Sequence, residues 1–183
     1  HVYGTTAFPE ILSAGGALPV NNFRRSALAE AALIGGDTYN EILLDKRKGC
    51  YACPIQCNRG VALDDPKYGI DSRYGGPEYE TIAALGSACG VDDLNAIAKA
   101  SELCNAYSLD SISTGLSIAF AMECFENGFL TSADTGGIDL KFGNTAAMLK
   151  MIELIARREG IGDLLAEGAA RIAQKIGHGT DVF

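Results

Sequence analysis

Apolar residues recur at spacings of three and four from residue 77 to the end of the chain, the period of a helix with one buried face. Pro77 opens the first of these segments and Gly90 closes it. Asp92 or Asp93 caps the next, in which Leu94, Ile97, Ala98 and Ser101 share a face. Asp110 opens a third, carrying Ile112, Leu116, Ala119 and Phe120 and stopping at Asn127-Gly128. A loop with Thr135-Gly136-Gly137 follows. Asn144 caps a helix striped by Met148, Met151, Ile152 and Ile155 and closed by Gly160. Gly162 or Asp163 begins the last, with Leu165, Ala169, Ile172 and Ile176 ahead of Gly177.

The first 76 residues are less regular. Tyr3 to Ala14 reads as a short helix that Pro9 starts or disturbs and Gly15-Gly16 ends. Leu18 to Asn22 reads as an extended connection, and Ser26 to Ile34 as a second helix. Asp37 is a good N-cap for a third, Thr38 to about Lys46, whose negative end Lys46, Arg47 and Lys48 would offset. Between Gly49 and Gly76 the periodicity vanishes; this stretch holds three cysteines, Val61-Ala62-Leu63, a polar loop at Asp64-Asp65-Pro66 and Tyr74-Gly75-Gly76. Long irregular stretches in compact domains are usually functional. The expectation is an all-α, multihelical single domain of about eight helices. It has an irregular cysteine-bearing loop region and little or no β structure, with any strand pairing confined to short pieces in the first third.

Composition narrows the function class. With 48% apolar and 21% charged residues the chain is ordinary globular protein, long enough for a real core. The net charge of −8 and the absence of a basic stripe argue against nucleic acid, since Arg24-Arg25 and Arg157-Arg158 are isolated pairs. No apolar run reaches membrane-spanning length, the longest lying near Ile118 to Cys124. The chain starts at His1 without a charged and apolar leader, which favours a piece of a longer protein. A cytoplasmic location is expected.

Six cysteines form two classes. Cys50, Cys53 and Cys57 make a Cys-x2-Cys-x3-Cys group, whose spacing lets one loop turn several thiolates toward a common point. Thiolates hold iron–sulfur clusters, normally four to a [4Fe–4S]. The order is the reverse of the radical S-adenosylmethionine motif and differs from the bacterial ferredoxin one. A zinc site would need a fourth donor, for which His178 is conceivable but distant in sequence. Cys89, Cys104 and Cys124 lie in apolar helical stretches and read as small core residues. The missing fourth cluster ligand is then exogenous, one of these three, or outside the chain.

Longer stretches resemble a known family. Cys50-Tyr51-Ala52-Cys53-Pro54-Ile55-Gln56-Cys57, then Tyr74-Gly75-Gly76-Pro77-Glu78-Tyr79-Glu80-Thr81, Gly86 to Leu94, and Glu102 to Gly115 are similar to the tungsten-dependent aldehyde ferredoxin oxidoreductases. The resemblance implies that residues 1–183 are the helical second domain of a three-domain protein. The N-terminal pterin-cradling domain and the C-terminal domain, which carries the fourth cluster cysteine, would lie elsewhere. It implies a [4Fe–4S] cluster on Cys50, Cys53 and Cys57 and a tungsto- or molybdo-bis-pterin in the parent.

The family's Asp-x-x-Gly-Leu-Asp pterin motif falls on Asn105 to Asp110. Leu109 and Asp110 match, while Asn105 replaces Asp and Ser108 replaces Gly. Asn105, Leu109 and Asp110 are thus candidate cofactor contacts, Asp110 serving equally as a helix N-cap. A family glutamate near the metal falls on Glu78 or Glu80, of which at most one would face the site; either also suits a helix N-terminus. Lys99 stands where some relatives use a glutamate for a dimer-bridging metal, so that site is not expected here. The implied activity is anaerobic oxidation of an aldehyde to a carboxylic acid, with electrons passing through the cluster to ferredoxin and a homodimeric parent compatible with it. The isolated chain would be inactive. The competing readings are a stand-alone iron–sulfur electron carrier, needing a fourth ligand among Cys89, Cys104 and Cys124, and a structural zinc module.

Overall fold

The computed structural model describes residues 2–63 and 65–183; His1 and Asp64 lie outside the described residues. Among the described residues the architecture is eight α-helices, several single-turn 3-10 helices and one two-stranded hairpin. The helices are α1 (Phe8–Ala14), α2 (Gly36–Ile42), α3 (Tyr79–Leu85), α4 (Leu94–Ala106), α5 (Ser111–Glu126), α6 (Thr145–Arg157), α7 (Ile161–Leu165) and α8 (Ala169–Ile176). The all-α expectation holds, with the single hairpin in the first third of the chain.

The central element is α5. From Thr114 to Cys124 every residue except Leu116 is buried, so this helix is enclosed on nearly all sides rather than along one stripe. It packs against α3, where Gly115 permits the approach: a Cβ there would stand 2.6 Å from the Ala84 carbonyl carbon. Helix α4 and the Met148, Met151, Ile152 and Ile155 face of α6 complete one continuous core. The expected caps are present. Asp93 accepts from the Ala96 amide at 3.1 Å, Asp110 from Ser113 at 2.6 Å and Asn144 from Ala147 at 3.1 Å. No helix among the described residues is long and apolar enough to cross a membrane.

The N-terminal third departs from the expectations in ways that hydrogen bonding explains. Tyr3 to Ala14 divides into a 3-10 helix, Gly4–Ala7, and α1 with Pro9 in its first turn. Only Ala31–Ile34 of the expected second helix is helical, and it is 3-10. The Ser26 carbonyl is taken by the Leu18 amide, and Ser13 Oγ both donates to the Leu28 carbonyl and accepts from its amide, so this backbone is committed elsewhere. Leu18 to Asn22 is not simply extended, since Val20 bridges to Arg25 and Asn21, Asn22 and Phe23 are all left-handed.

Asp37 does not cap α2. The helix starts two residues earlier than expected, at Gly36 with Gly35 as its N-cap, and the Asp37 carboxylate accepts from the Tyr3 hydroxyl at 2.6 Å. Lys46, Arg47 and Lys48 belong not to a helix end but to β1 (Leu44–Lys48), antiparallel to β2 (Asn58–Val61), with Lys48 opposite Asn58 and Arg47 opposite Arg59. Near the C-terminus the expected last helix is two, α7 and α8. Gly168, at φ 86°, holds a conformation that no α-helix contains.

Candidate functional site

Strands β1 and β2 turn the three closely spaced cysteines into the tip of a hairpin. Cys50, Cys53 and Cys57 all lie on the connection that follows Lys48 and returns to Asn58. The Cys53 amide donates to the Cys50 carbonyl at 3.0 Å, closing a tight turn, and Ala52 and Gln56 adopt left-handed φ of 56° and 49°. Cys50 is exposed and the other two are half-buried, so all three thiols stand outside the core. Among the described residues no three His, Cys, Asp or Glu side chains stand close enough to hold a single metal ion. The physical distinction is that a cubane cluster takes one thiolate per iron, so its ligands stand further apart than the donors of one zinc. His178 lies in the C-terminal segment, lining a cavity with Phe129, Leu130 and Ile176 rather than near the hairpin.

Cys89, Cys104 and Cys124 are buried, as their apolar context predicts. The Cys89 Sγ is satisfied by the Ala84 and Gly115 carbonyls at 3.3 and 3.5 Å. Burial pushes its thiol pKa strongly up; burial, with Asp110 nearby, pushes Cys104 up to about 12, and burial, with Glu123, pushes Cys124 up to about 11. Such thiols keep their protons and make poor ligands.

The segment Gly4-Thr5 links the hairpin to the acidic start of α3. Thr5 Oγ1 donates to Glu78 Oε2 at 2.5 Å and accepts from the Tyr79 amide at 3.1 Å. Glu78 occupies the N-cap position of α3 without capping it, and it is half-buried; Glu80, in the first turn, is exposed. Of the two candidate carboxylates, Glu78 is therefore the inward one. Behind it stands Tyr39, fully buried, its hydroxyl without a hydrogen-bond partner among the described residues and its pKa pushed strongly up by burial and then by Glu78, Arg59 acting the other way. Gly76 fits because a Cβ would collide with the Tyr39 hydroxyl and Val61.

On the other side of Gly4 lies Arg59, which is 1% exposed. Its Nη1 donates to the Gln56 carbonyl at 3.0 Å and its Nη2 to the Val2 carbonyl at 3.1 Å. Thr5, Tyr39 and Arg59 went unread in the sequence; only the position of Arg59, two residues past Cys57, offered a signal.

Asn105 lies in the last turn of α4, and Leu109 and Asp110 belong to the turn that leads into α5. The Leu109 amide donates to the Cys104 carbonyl at 2.8 Å and the Ser108 amide to the Asn105 carbonyl at 3.2 Å, the paired bonds of a Schellman cap. Ser108 has φ 57°, the left-handed conformation that glycine adopts most readily. Asn105 Nδ2 donates to the Tyr74 carbonyl at 3.2 Å, and Asp110 caps α5, its carboxyl held below the ordinary range mainly by the Ser113 amide. Asn105 and Asp110 nevertheless remain exposed. Lys99 Nζ donates to Glu102 at 2.6 Å and to the Gly69 carbonyl at 3.1 Å, so it is engaged within the chain.

The chain is 40% identical over 177 residues to the tungsten-containing aldehyde ferredoxin oxidoreductases of Pyrococcus furiosus and Thermococcus kodakarensis, covering 96% of this chain and 28% of each relative. It is also 36% identical over 147 residues, 78% of this chain and 23% of the relative, to the WOR-like subunit of an aliphatic sulfonate oxidoreductase from Pyrococcus furiosus. In structure it matches a chain of the active-site complex BamBC of benzoyl coenzyme A reductase, solved with 1,5-dienoyl-CoA. The TM-score is 0.71 at 24% identity, covering 91% of this chain and 25% of that one, a likeness of fold. The chain thus spans under a third of the length of the curated relatives it matches. The model of aldehyde ferredoxin oxidoreductase domains 2 and 3 matches residues 1–183, and the chain belongs to this oxidoreductase family.

Proposed function

We propose that this chain is the helical second domain of a tungsten- or molybdenum-pterin enzyme that oxidises an aldehyde to a carboxylic acid and delivers the electrons through a [4Fe–4S] cluster to ferredoxin. The observation that carries the reading is the junction at Gly4-Thr5. It brings the end of the cysteine hairpin and the inward carboxylate Glu78 to one place. Cys50, Cys53 and Cys57 suit a cluster because they lie on one loop outside the core, where thiolates are accessible to iron. The cluster would be held by these three and by a fourth ligand from the rest of the parent. The buried, protonated state of Cys89, Cys104 and Cys124 disfavours a self-contained electron carrier.

An aldehyde and water yield a carboxylate, two electrons and three protons. The pterin metal, when bound in the parent, supplies the two-electron chemistry. This chain's residues do the rest on their side. Glu78, oriented by Thr5, accepts or returns a proton at Oε2, and the turn from Asn105 through Leu109 to Asp110 presents polar groups to the pterin. Glu80 points to solvent and takes no part. The parent is expected in the cytoplasm, where reduced thiols persist.

The test is an anaerobic assay of the parent and of this chain alone, with aldehyde as donor and ferredoxin or a viologen dye as acceptor, and with iron, tungsten and molybdenum measured in each. The parent should reduce the acceptor and contain iron and a pterin metal; the isolated chain should do neither. An active isolated chain, or a parent lacking pterin metal, would overturn the reading.

A further inference from the structure

Among the described residues the largest fully buried side chain is a cation. Arg59 is 1% exposed, and among the described residues no carboxylate pairs with it. Its Nη1 reaches the Gln56 carbonyl at 3.0 Å and the Asn58 carbonyl at 3.5 Å, and its Nη2 the Val2 carbonyl at 3.1 Å, while its Nε, also buried, has no partner among the described residues. Carbonyl dipoles solvate a guanidinium without neutralising it, and a buried charge lacking its counter-ion is costly. The fold keeps this one at a particular place. Gln56 and Asn58 flank Cys57, so the fork grips the chain on both sides of that ligand. Nη2 and the Cys57 carbonyl oxygen each lie 2.7 Å from the point where a Cβ on Gly4 would stand, so a side chain at position 4 would wedge between them. A glycine at φ 61° leaves that contact open.

Thiolate-held iron–sulfur groups are anions, and each electron they accept adds a negative charge. Net charge and hydrogen bonding around the sulfurs set their potential. Resting on the cluster reading above, we infer that Arg59 is the buried counter-charge of the cysteine site. It fixes Cys57 through the two flanking carbonyls, and its positive charge, unscreened by solvent, favours the one-electron-reduced form. A cluster there would carry the two electrons of each aldehyde one at a time, and Arg59 would set the equilibrium of each transfer without being consumed.

The experiment is an EPR-monitored redox titration of the full-length parent, with dithionite and mediator dyes, in wild type, Arg59→Lys and Arg59→Gln, with iron and sulfide measured in each. Arg59→Lys keeps the charge and loses the fork; Arg59→Gln keeps hydrogen bonding and loses the charge. The ratio of reduced to oxidised cluster at a fixed potential should fall at least tenfold in Arg59→Gln, about 59 mV for one electron, and stay close to wild type in Arg59→Lys. If Arg59→Gln takes up no iron, wild-type potential and iron content in Arg59→Lys still support the charge role. Equal shifts in both variants, equal loss of iron from both, or an unmoved potential in Arg59→Gln would overturn it. A wild-type parent without iron and sulfide would instead sink the cluster reading itself.

Discussion

Thr5 Oγ1 holds Glu78 Oε2 at 2.5 Å across 73 residues of sequence and also receives the first free amide of α3, from Tyr79. One hydroxyl thus fixes both the carboxylate and the helix beneath it. Glu78→Gln in the parent should lower kcat by about 10²–10⁴-fold if the carboxylate moves a proton. Glu80→Gln, at an exposed position, should change it little. Thr5→Val should cost about 0.5–1.5 kcal/mol of stability and lower turnover without abolishing it. Steady-state kinetics and thermal denaturation of the three variants check this; equal losses in the Glu78 and Glu80 variants would count against Glu78.

The two groups of cysteines should separate by reactivity. In the metal-free chain iodoacetamide should modify Cys50, Cys53 and Cys57 under native conditions, and Cys89, Cys104 and Cys124 only after unfolding. Peptide mapping by mass spectrometry reads this out. In the parent, Cys53→Ala should remove iron and electron transfer to ferredoxin while leaving most pterin metal, and Cys104→Ala should leave the iron.

The buried thiols also set an alkaline limit on stability. Cys104 and Cys124 are pushed from 9.0 up to about 12 and about 11, and Cys89 further, so above pH 9 the unfolded chain releases protons that the folded chain retains. The folded state then binds more protons, and stability falls as pH rises. Below the unfolded thiol range this contribution is complete and flat. Urea denaturation between about pH 8 and about pH 11 should show the decline, and Cys89→Ala should reduce its slope while costing stability at every pH.

The contact of Gly115 with Ala84 predicts a sharp packing limit. A methyl at position 115 would stand 2.6 Å from the Ala84 carbonyl carbon, and backbone cannot step aside as a side-chain end can. Gly115→Ala should destabilise by about 1–3 kcal/mol, although alanine is the better helix former. Its melting temperature should fall by about 2–4 °C for each kcal/mol. An unchanged melting temperature would show that α3 and α5 can separate freely.

Asp110 carries both a cap and a proposed cofactor contact, and substitution can part the two. Asp110→Asn should keep the cap, because an amide oxygen also accepts the Ser113 amide, whereas Asp110→Ala should lose about 0.5–2 kcal/mol. If the carboxylate also serves the pterin, the parent's Asp110→Asn variant should keep its melting temperature and lose pterin metal. Retention of both would leave Asp110 as a cap alone.

The sequence by itself determined the helical half of the molecule. Asp93, Asp110 and Asn144 cap where their side chains meet a helical period, because capping and amphipathicity are local properties that neighbouring residues settle. The division of the cysteines was legible for the same reason, since three sit in apolar stripes and three in a stretch without one. Tertiary structure decided what depends on partners distant in the chain. Ser26 failed to start a helix because Leu18 took its carbonyl, Asp37 turned from capping to the Tyr3 hydroxyl, and Lys46 to Lys48 became a strand because Asn58 to Val61 lay beside them. Only the fold could single out Glu78 over Glu80, which have the same chemistry two residues apart, and only the fold could bury Arg59 against the cysteine loop. No local pattern marks an arginine for burial; the carbonyls that receive it come from Val2, Gln56 and Asn58, brought together by the hairpin and the N-terminal turn.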